Sequence, residues 1–209
     1  MKLLETIRFD NSRFDNLAYH QQRMNRSRKV LLGREDEIDL KEYFYNSSFQ
    51  SALGSAIPTP NEHRLFKCRL VYSTTIEKVE FFPYHLPKIH SLRLVIDDEI
   101  DYSHKYIDRQ AIEKLLAKKD DCDDILIVKN GLITDTSFAN ILFFNGKEWI
   151  TPAFPLLKGT RRAQLLDEEK IRTADIHIED LKYFKKARLV NAMIRFEDKV
   201  DILVENIEL

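Results

Sequence analysis

Residues 3–9 form a short mixed apolar and polar run that predicts a strand, closed by the turn-forming Asp10-Asn11-Ser12. From residue 17 to 32 the apolar spacing becomes helical, and Gly33 stands where a left-handed C-cap is expected. A second helical stretch covers 40–53 and is stopped by Gly54, then by Pro58 and Pro60. Two alternating runs follow, 65–73 with Phe66, Cys68, Leu70 and Tyr72 on one face, and 78–82, which pair as antiparallel strands. The first part of the chain therefore reads as a small α+β unit.

Pro83-Tyr84-His85-Leu86-Pro87 has two prolines four residues apart and no period, which makes it the candidate linker. Beyond it the pattern gives a strand at 89–96, a helix at 108–118 and a nearly all-apolar strand at 124–128. Asn130-Gly131 and Asn145-Gly146 each separate apolar runs, the strongest short hairpin signal. A helix at 161–169, a strand at 173–178, a short helix at 179–184 and a buried strand at 187–192 complete the series. The expected organisation is a small N-terminal domain over 1–83, a linker at 84–87 and a larger C-terminal domain over 88–209.

Composition narrows the function classes. With 33 Lys and Arg against 34 Asp and Glu the net charge is −1, which argues against a nucleic-acid binder or a polybasic membrane module. Hydrophobic residues make up 44% of the chain, enough to pack a core. No 18-residue stretch is apolar enough to span a membrane and there is no signal-peptide pattern, so a cytoplasmic protein is expected. Cys68 and Cys122 stand far apart, which reads as two free, buried thiols and not as a disulfide or zinc framework. The five glycines form neither G-x-G-x-x-G nor a P-loop, and the six histidines show no metal-binding spacing. G-x-S-x-G is also absent.

Lys105 lies between His104 and Tyr106 and has two readings: a side chain snorkelling between two rings, or a Schiff-base lysine whose amine is partly desolvated. Thirty residues on, Ile133-Thr134-Asp135-Thr136-Ser137-Phe138-Ala139-Asn140 and the apolar run after it give a strand, a polar turn with a carboxylate and a second strand. Gly159-Thr160-Arg161-Arg162 then opens a helix. Leu4-Glu5-Thr6-Ile7-Arg8, His20-Gln21-Gln22-Arg23-Met24 with Ser27, and Leu189-Val190-Asn191-Ala192-Met193 complete a set of five segments. In this order they resemble the class IV aminotransferases, fold-type IV pyridoxal phosphate enzymes whose members include branched-chain and D-amino-acid aminotransferases and aminodeoxychorismate lyase. Their counterparts in that family read F-E-T-I-R, H-x-x-R-L, T-E followed by S/A-N, G-I-T-R and a late N-A. The resemblance covers nearly the whole chain.

It implies an α+β fold with a barrel-like larger domain, pyridoxal 5'-phosphate between the domains, and a homodimer. Lys105 would form the Schiff base and act as general base. Asp135 would hold the protonated ring nitrogen; the family has Glu here, and the shorter arm implies a closer ring or a bridging water. Arg23 would grip the phosphate in a bidentate fashion, with backbone N–H groups of Thr160 and Arg161 at the helix start. Arg161 stands where the family has Thr, which backbone donors tolerate. Asn140 belongs to the same cofactor set, and Asn191 either approaches the phosphate or simply ends a buried strand. Thr6 occupies a position where lyase-type members carry a proton-relaying hydroxyl. Arg8 either meets a substrate carboxylate or faces solvent from an alternating strand.

The Lys-x-x-Asp-Arg run at 105–109 and the late Asn-Ala resemble the lyase that releases pyruvate from 4-amino-4-deoxychorismate and leaves 4-aminobenzoate for folate synthesis. The alternative is an aminotransferase of branched-chain or D-amino acids; a non-catalytic cofactor-binding relative is the third reading. Family members usually have a further strand and a Y/F-G-D-G turn ahead of the F-E-T strand. This chain starts at that strand, which implies a more open pocket or a different small-molecule amino substrate.

Overall fold

The computed structural model describes residues 1–46 and 65–208. By contacts the chain forms two units, one of Met1–Leu86 with His104–Ile107 and the other of Pro87–Ser103 with Asp108–Leu209. The fold is α+β, with a small antiparallel sheet and a larger mixed sheet.

In the first unit, β1 (Leu3–Asp10) alternates so that Leu3, Ile7 and Phe9 enter the core, along with Glu5. The Asp10-Asn11-Ser12 turn, with Asn11 and Ser12 at positive φ, leads into β2 (Arg13–Phe14), too short to be read from a pattern. β3 (Phe66–Tyr72) and β4 (Ile76–Pro83) form the expected antiparallel pair, and the sheet order is β2-β1-β3-β4. Phe66, Cys68, Leu70 and Tyr72 share the inner face with the β1 core residues. Helix α1 (Leu17–Leu32) covers that face and ends at Gly33, whose φ of 63° closes the last turn onto Lys29 and Arg28 carbonyls.

Helix α2 (Leu40–Tyr45) is shorter than the 40–53 expected: Asn46 is already extended, at φ −71° and ψ 137°. Asn competes poorly for helix interior because its side chain offers the backbone other hydrogen bonds. The rest of that expected helix, with Gly54, Pro58 and Pro60, lies outside the described residues. The segment His104–Ile107 joins this unit along the free edge of β1, through Leu4 N–H donating to the Lys105 carbonyl at 3.0 Å and a bridge between Leu3 and Tyr106. The bounds expected from sequence, 88–209, place Lys105 in the larger domain; an isolated edge pairing of this kind has no periodic signature.

In the second unit, β5 (Leu92–Ile96) is shorter than the 89–96 expected, and helix α3 spans Gln110–Leu116. The strands β6 (Asp124–Lys129) and β7 (Leu132–Thr136) meet at Asn130-Gly131, both at positive φ (52° and 76°), as a two-residue hairpin requires. β8 (Asn140–Phe144) and β9 (Trp149–Pro152) flank the second hairpin signal. Helix α4 (Thr160–Asp167), β10 (Arg172–Ala174) and β11 (Lys186–Val190) follow. β10 is cut to three residues, and the expected helix at 179–184 is a 3₁₀ turn over Ile178–Tyr183. Two short late strands, β12 (Asp201–Leu203) and β13 (Ile207–Glu208), pair with β11 and β5.

The path of this sheet is β10-β9-β8-β7-β6-β5-β13, with β11 on the other edge of β8. β8 is therefore buried on both faces: Ile141 and Phe143 enter the main core, while Leu142 packs with Leu165 of α4 and Val190 of β11. Asn140 shares the Leu142 face by alternation, which aims it at the start of α4.

Candidate active site

In the first unit, α1 places His20, Arg23 and Ser27 on one buried face at spacings of three and four residues. Glu5, wholly buried on β1, receives both of the first two. Its Oε2 lies 2.6 Å from His20 Nδ1, and its Oε1 accepts from Arg23 Nε at 2.9 Å while Arg23 Nη2 closes on Oε2. Burial alone would raise the Glu5 carboxyl, yet the Arg23 charge and the His20 contact outweigh it and hold it at about 2. Burial pushes the His20 imidazole below its ordinary value; Glu5 opposes this, while the charges of Arg23 and Lys105 reinforce it. Arg23 thus makes a two-pronged contact with Glu5 through Nε and Nη2.

Lys105 is half-buried on the edge strip beside β1, within electrostatic reach of His20. Thr6 is half-buried and pairs in register with Arg69, so by alternation it shares the Leu4 face of the sheet, opposite Glu5. Arg8, on the Thr6 face, is only 7% exposed and bonds Asp10 Oδ2 at 3.2 Å. The solvent-facing reading of Arg8 does not hold, since its side chain is buried.

In the second unit, Asp135 and Asn140 stand opposite each other across β7 and β8. Asp135 Oδ1 accepts from Asn140 Nδ2 at 2.7 Å, and Oδ2 from the Leu157 backbone N–H at 2.9 Å. Burial pushes the Asp135 carboxyl up to about 6, although these two donors and the nearby Arg162 charge pull the other way. Asn140 Nδ2 also donates to the Leu157 carbonyl at 2.9 Å, so one amide fastens the 135–140 turn to the loop ahead of α4. Gly159 completes that closure: a Cβ there would lie 2.0 Å from Asn140 Oδ1.

Thr160 and Arg161 open α4 and are buried, at the helix end where backbone N–H groups lack intrahelical partners. Arg161 Nη1 donates to Gln164 Oε1 at 2.5 Å. Arg162, which occupies the Arg position of the G-I-T-R pattern, is buried and donates to Thr151 Oγ1 at 3.3 Å and the Pro152 carbonyl at 2.8 Å. The Asn191 amide donates to the Phe138 carbonyl at 3.2 Å, and its oxygen accepts from the Met193 and Ile194 N–H groups. Its side chain therefore builds the turn after β11 and ties it to the 136–139 turn. Arg109 Nη2 reaches the Ser137 carbonyl at 2.8 Å and braces the same turn.

The structure thus gathers Asp135, Asn140, Thr160, Arg161 and Asn191 around one turn of the second unit, and Arg23 and Lys105 around His20 in the first. Sequence reasoning assigned no role to Glu5, His20, Arg109, Leu157 or Arg162. Glu5 and His20 stand inside the quoted F-E-T-I-R and H-x-x-R segments, where a charged residue at an inward strand position was the available signal. Among the described residues no group of three or more His, Cys, Asp or Glu side chains is arranged to hold a metal ion.

The family model for class IV amino-transferases matches residues 2–196, and the chain belongs to that family of enzymes. An uncharacterised protein from Haemophilus influenzae is 37% identical over 194 residues, which cover 91% of this chain and 97% of that protein. A crystal structure from Haemophilus somnus 129PT, provisionally named a 4-amino-4-deoxychorismate lyase, is 35% identical, covers 93% of this chain and 97% of its own, and superposes with a TM-score of 0.83. A hypothetical aminotransferase from Mycobacterium tuberculosis in its PLP-bound form shares the fold, with a TM-score of 0.70 and 17% identity over 93% of this chain and 78% of that one.

Proposed function

We propose that this protein is a pyridoxal phosphate enzyme that converts 4-amino-4-deoxychorismate to 4-aminobenzoate and pyruvate. The observation that supports the cofactor best is Asp135, a buried carboxylate fixed by two donors and raised to about 6, matched to share a proton with a pyridine nitrogen. Within the second unit the residues fit the group, with a carboxylate for the ring and a helix start at Thr160 and Arg161 for the phosphate; by the family resemblance Arg23, oriented by Glu5 in the first unit, would add its charge. The likeness to the Haemophilus somnus protein favours the lyase among the family's reactions.

When bound, the pyridinium ring supplies the sink for the electron pair left on the substrate carbon. The Lys105 amine takes the proton from the ring carbon that bears the amino group. Cleavage of the ether C–O bond then leaves an aromatic 4-aminobenzoate and an enolpyruvate. The Thr6 hydroxyl relays a proton to the enolpyruvate methylene, which completes pyruvate. Asn140 holds Asp135 in place, Asn191 shapes the turn beside it, and Arg8 lends positive charge toward the substrate carboxylates from its position on β1. The same reading makes the protein a cytoplasmic homodimer; sedimentation at micromolar concentration tests the dimer. No described helix is long and apolar enough to cross a membrane.

The test is an absorption spectrum with added cofactor, then borohydride reduction and peptide mapping, followed by product assay. A visible band that reduces onto Lys105 and is lost in Lys105→Ala, with pyruvate and 4-aminobenzoate released without a keto acid, is the expected result. Turnover only with an added keto acid would assign an aminotransferase of branched-chain or D-amino acids, and no band at all would leave a non-catalytic relative.

A further inference from the structure

Four polar side chains of α1 are buried: Glu5 accounts for His20 and Arg23, and Asp36 with the Thr74 carbonyl accounts for Arg28. The fourth reaches elsewhere: Ser27 Oγ lies 3.1 Å from Nδ1 of His104, 77 residues further on and immediately before Lys105. The fully buried Tyr72, whose phenol burial pushes well above its ordinary range, has that phenol close to the same Ser27 hydroxyl.

Residues His104–Ile107 form a four-residue strip whose chain neighbours on both sides belong to the second unit. Its backbone holds to β1 through the Leu4 N–H on the Lys105 carbonyl at 3.0 Å and a long bond from Ile107 N–H to the Lys2 carbonyl at 3.4 Å. The Tyr106 ring packs against the core of the first unit. The backbone bonds and the Tyr106 ring fix the strip on the C-terminal side of Lys105. The imidazole of His104, tethered to the helix, fixes it on the N-terminal side, so the two together set where the Lys105 side chain starts.

We infer that Ser27 and His104 are positioning residues for Lys105. The inference deepens the proposed function and rests on Lys105 being its Schiff-base lysine. Arg23 and Ser27 are four residues apart on one helix, about 6 Å along its axis. The contact therefore ties the amine to the same rigid rod that carries the cation proposed for the phosphate. Neither Ser27 nor His104 touches the reacting atoms in this scheme; both act through the backbone of Lys105.

The experiment compares wild type with Ser27→Ala, Ser27→Thr, His104→Ala and the Ser27→Ala/His104→Ala double variant. Two quantities are read: the rate at which the Schiff-base band grows when pyridoxal phosphate is mixed with cofactor-free protein, and the affinity for 4'-deoxypyridoxine 5'-phosphate, which has the ring and phosphate but no aldehyde. Each single Ala variant is expected to slow band growth by about tenfold, the order of loss for a reacting group set slightly out of place. Ser27→Thr should restore it, the double variant should be no slower than either single one, and affinity for the deoxy analogue should stay within about twofold. Band growth at the wild-type rate in both single variants, additive slowing in the double variant, or an equal loss of deoxy-analogue affinity would overturn the inference. The wild-type protein decides the underlying reading separately: if it forms no band on Lys105, the cofactor assignment fails and takes this inference with it.

Discussion

A buried carboxylate held by a guanidinium and an imidazole is a different object from a surface ion pair, and Glu5 shows why. Its carboxylate accepts from Arg23 on two atoms and from His20 on one, with no exposed surface. Desolvation makes the set costly to build, and removal of one member leaves the others charged in a place without water. Glu5→Gln keeps the shape but strands the Arg23 guanidinium, so a loss of about 3–5 kcal/mol is expected in urea unfolding of the cofactor-free protein. A loss under about 1 kcal/mol would mean that Arg23 finds other partners readily. The same geometry orients Arg23: its Nε and Nη2 are turned to Glu5, so a phosphate would meet the other edge of the guanidinium.

At the level of elements, the candidate site in the second unit depends on how closely the β7–β8 turn approaches the loop before α4. Asn140 makes that approach, and Gly159 permits it, since a Cβ would fall 2.0 Å from Asn140 Oδ1. Gly159→Ala must push the Asn140 amide away, and with it one of the two donors on Asp135. The expected outcome is a cofactor affinity reduced by at least about tenfold with a stability loss of about 1–3 kcal/mol, measured by fluorescence titration and thermal unfolding. Unchanged affinity would show that Asp135 does not depend on this closure. Local pattern made most of these elements legible: α1 with its Gly33 cap, the β3 and β4 pair, and the Asn130-Gly131 hairpin all follow from spacing and turn chemistry. Asp135, Lys105 and Arg23 were legible as residues because they stand in recognisable segments. Asn140 beside Asp135 was legible too, but the more distant partners were not, since Leu157 lies 22 residues from Asp135 and Glu5 lies 18 from Arg23, distances over which periodicity carries no information. The strip at His104–Ile107 escaped for the related reason that four residues on a sheet edge make no pattern.

Taken as a whole, the chain carries buried ionisable groups of opposite pH response in its two units. In the first, Glu5 sits at about 2 against an ordinary 4.5, so its contribution is complete above 4.5 and is lost as the pH falls toward 2. His20 is held below its ordinary 6.5, so the unfolded chain takes up that proton first and acid again favours unfolding. In the second, Asp135 is raised from 3.8 to about 6, so the folded state binds the proton first. Between about 6 and 4 the cofactor-free second unit therefore gains stability as the pH falls, by about 3 kcal/mol from this group. The chain supplies its own reporters: Trp149, the single tryptophan, lies in the second unit, and α1, sixteen residues long, lies in the first. In an acid titration the far-ultraviolet helical signal is expected to fall at a higher pH than the Trp149 emission changes. Asp135→Asn supplies the control, because it removes the group that responds in the second unit. Its stability relative to wild type, followed by Trp149 in urea, should rise between pH 4 and pH 6 and level off above. Coincident loss of both signals in wild type, with a flat difference for Asp135→Asn, would mean that the Asp135 carboxyl is ionised throughout this range and that its burial does not govern its charge.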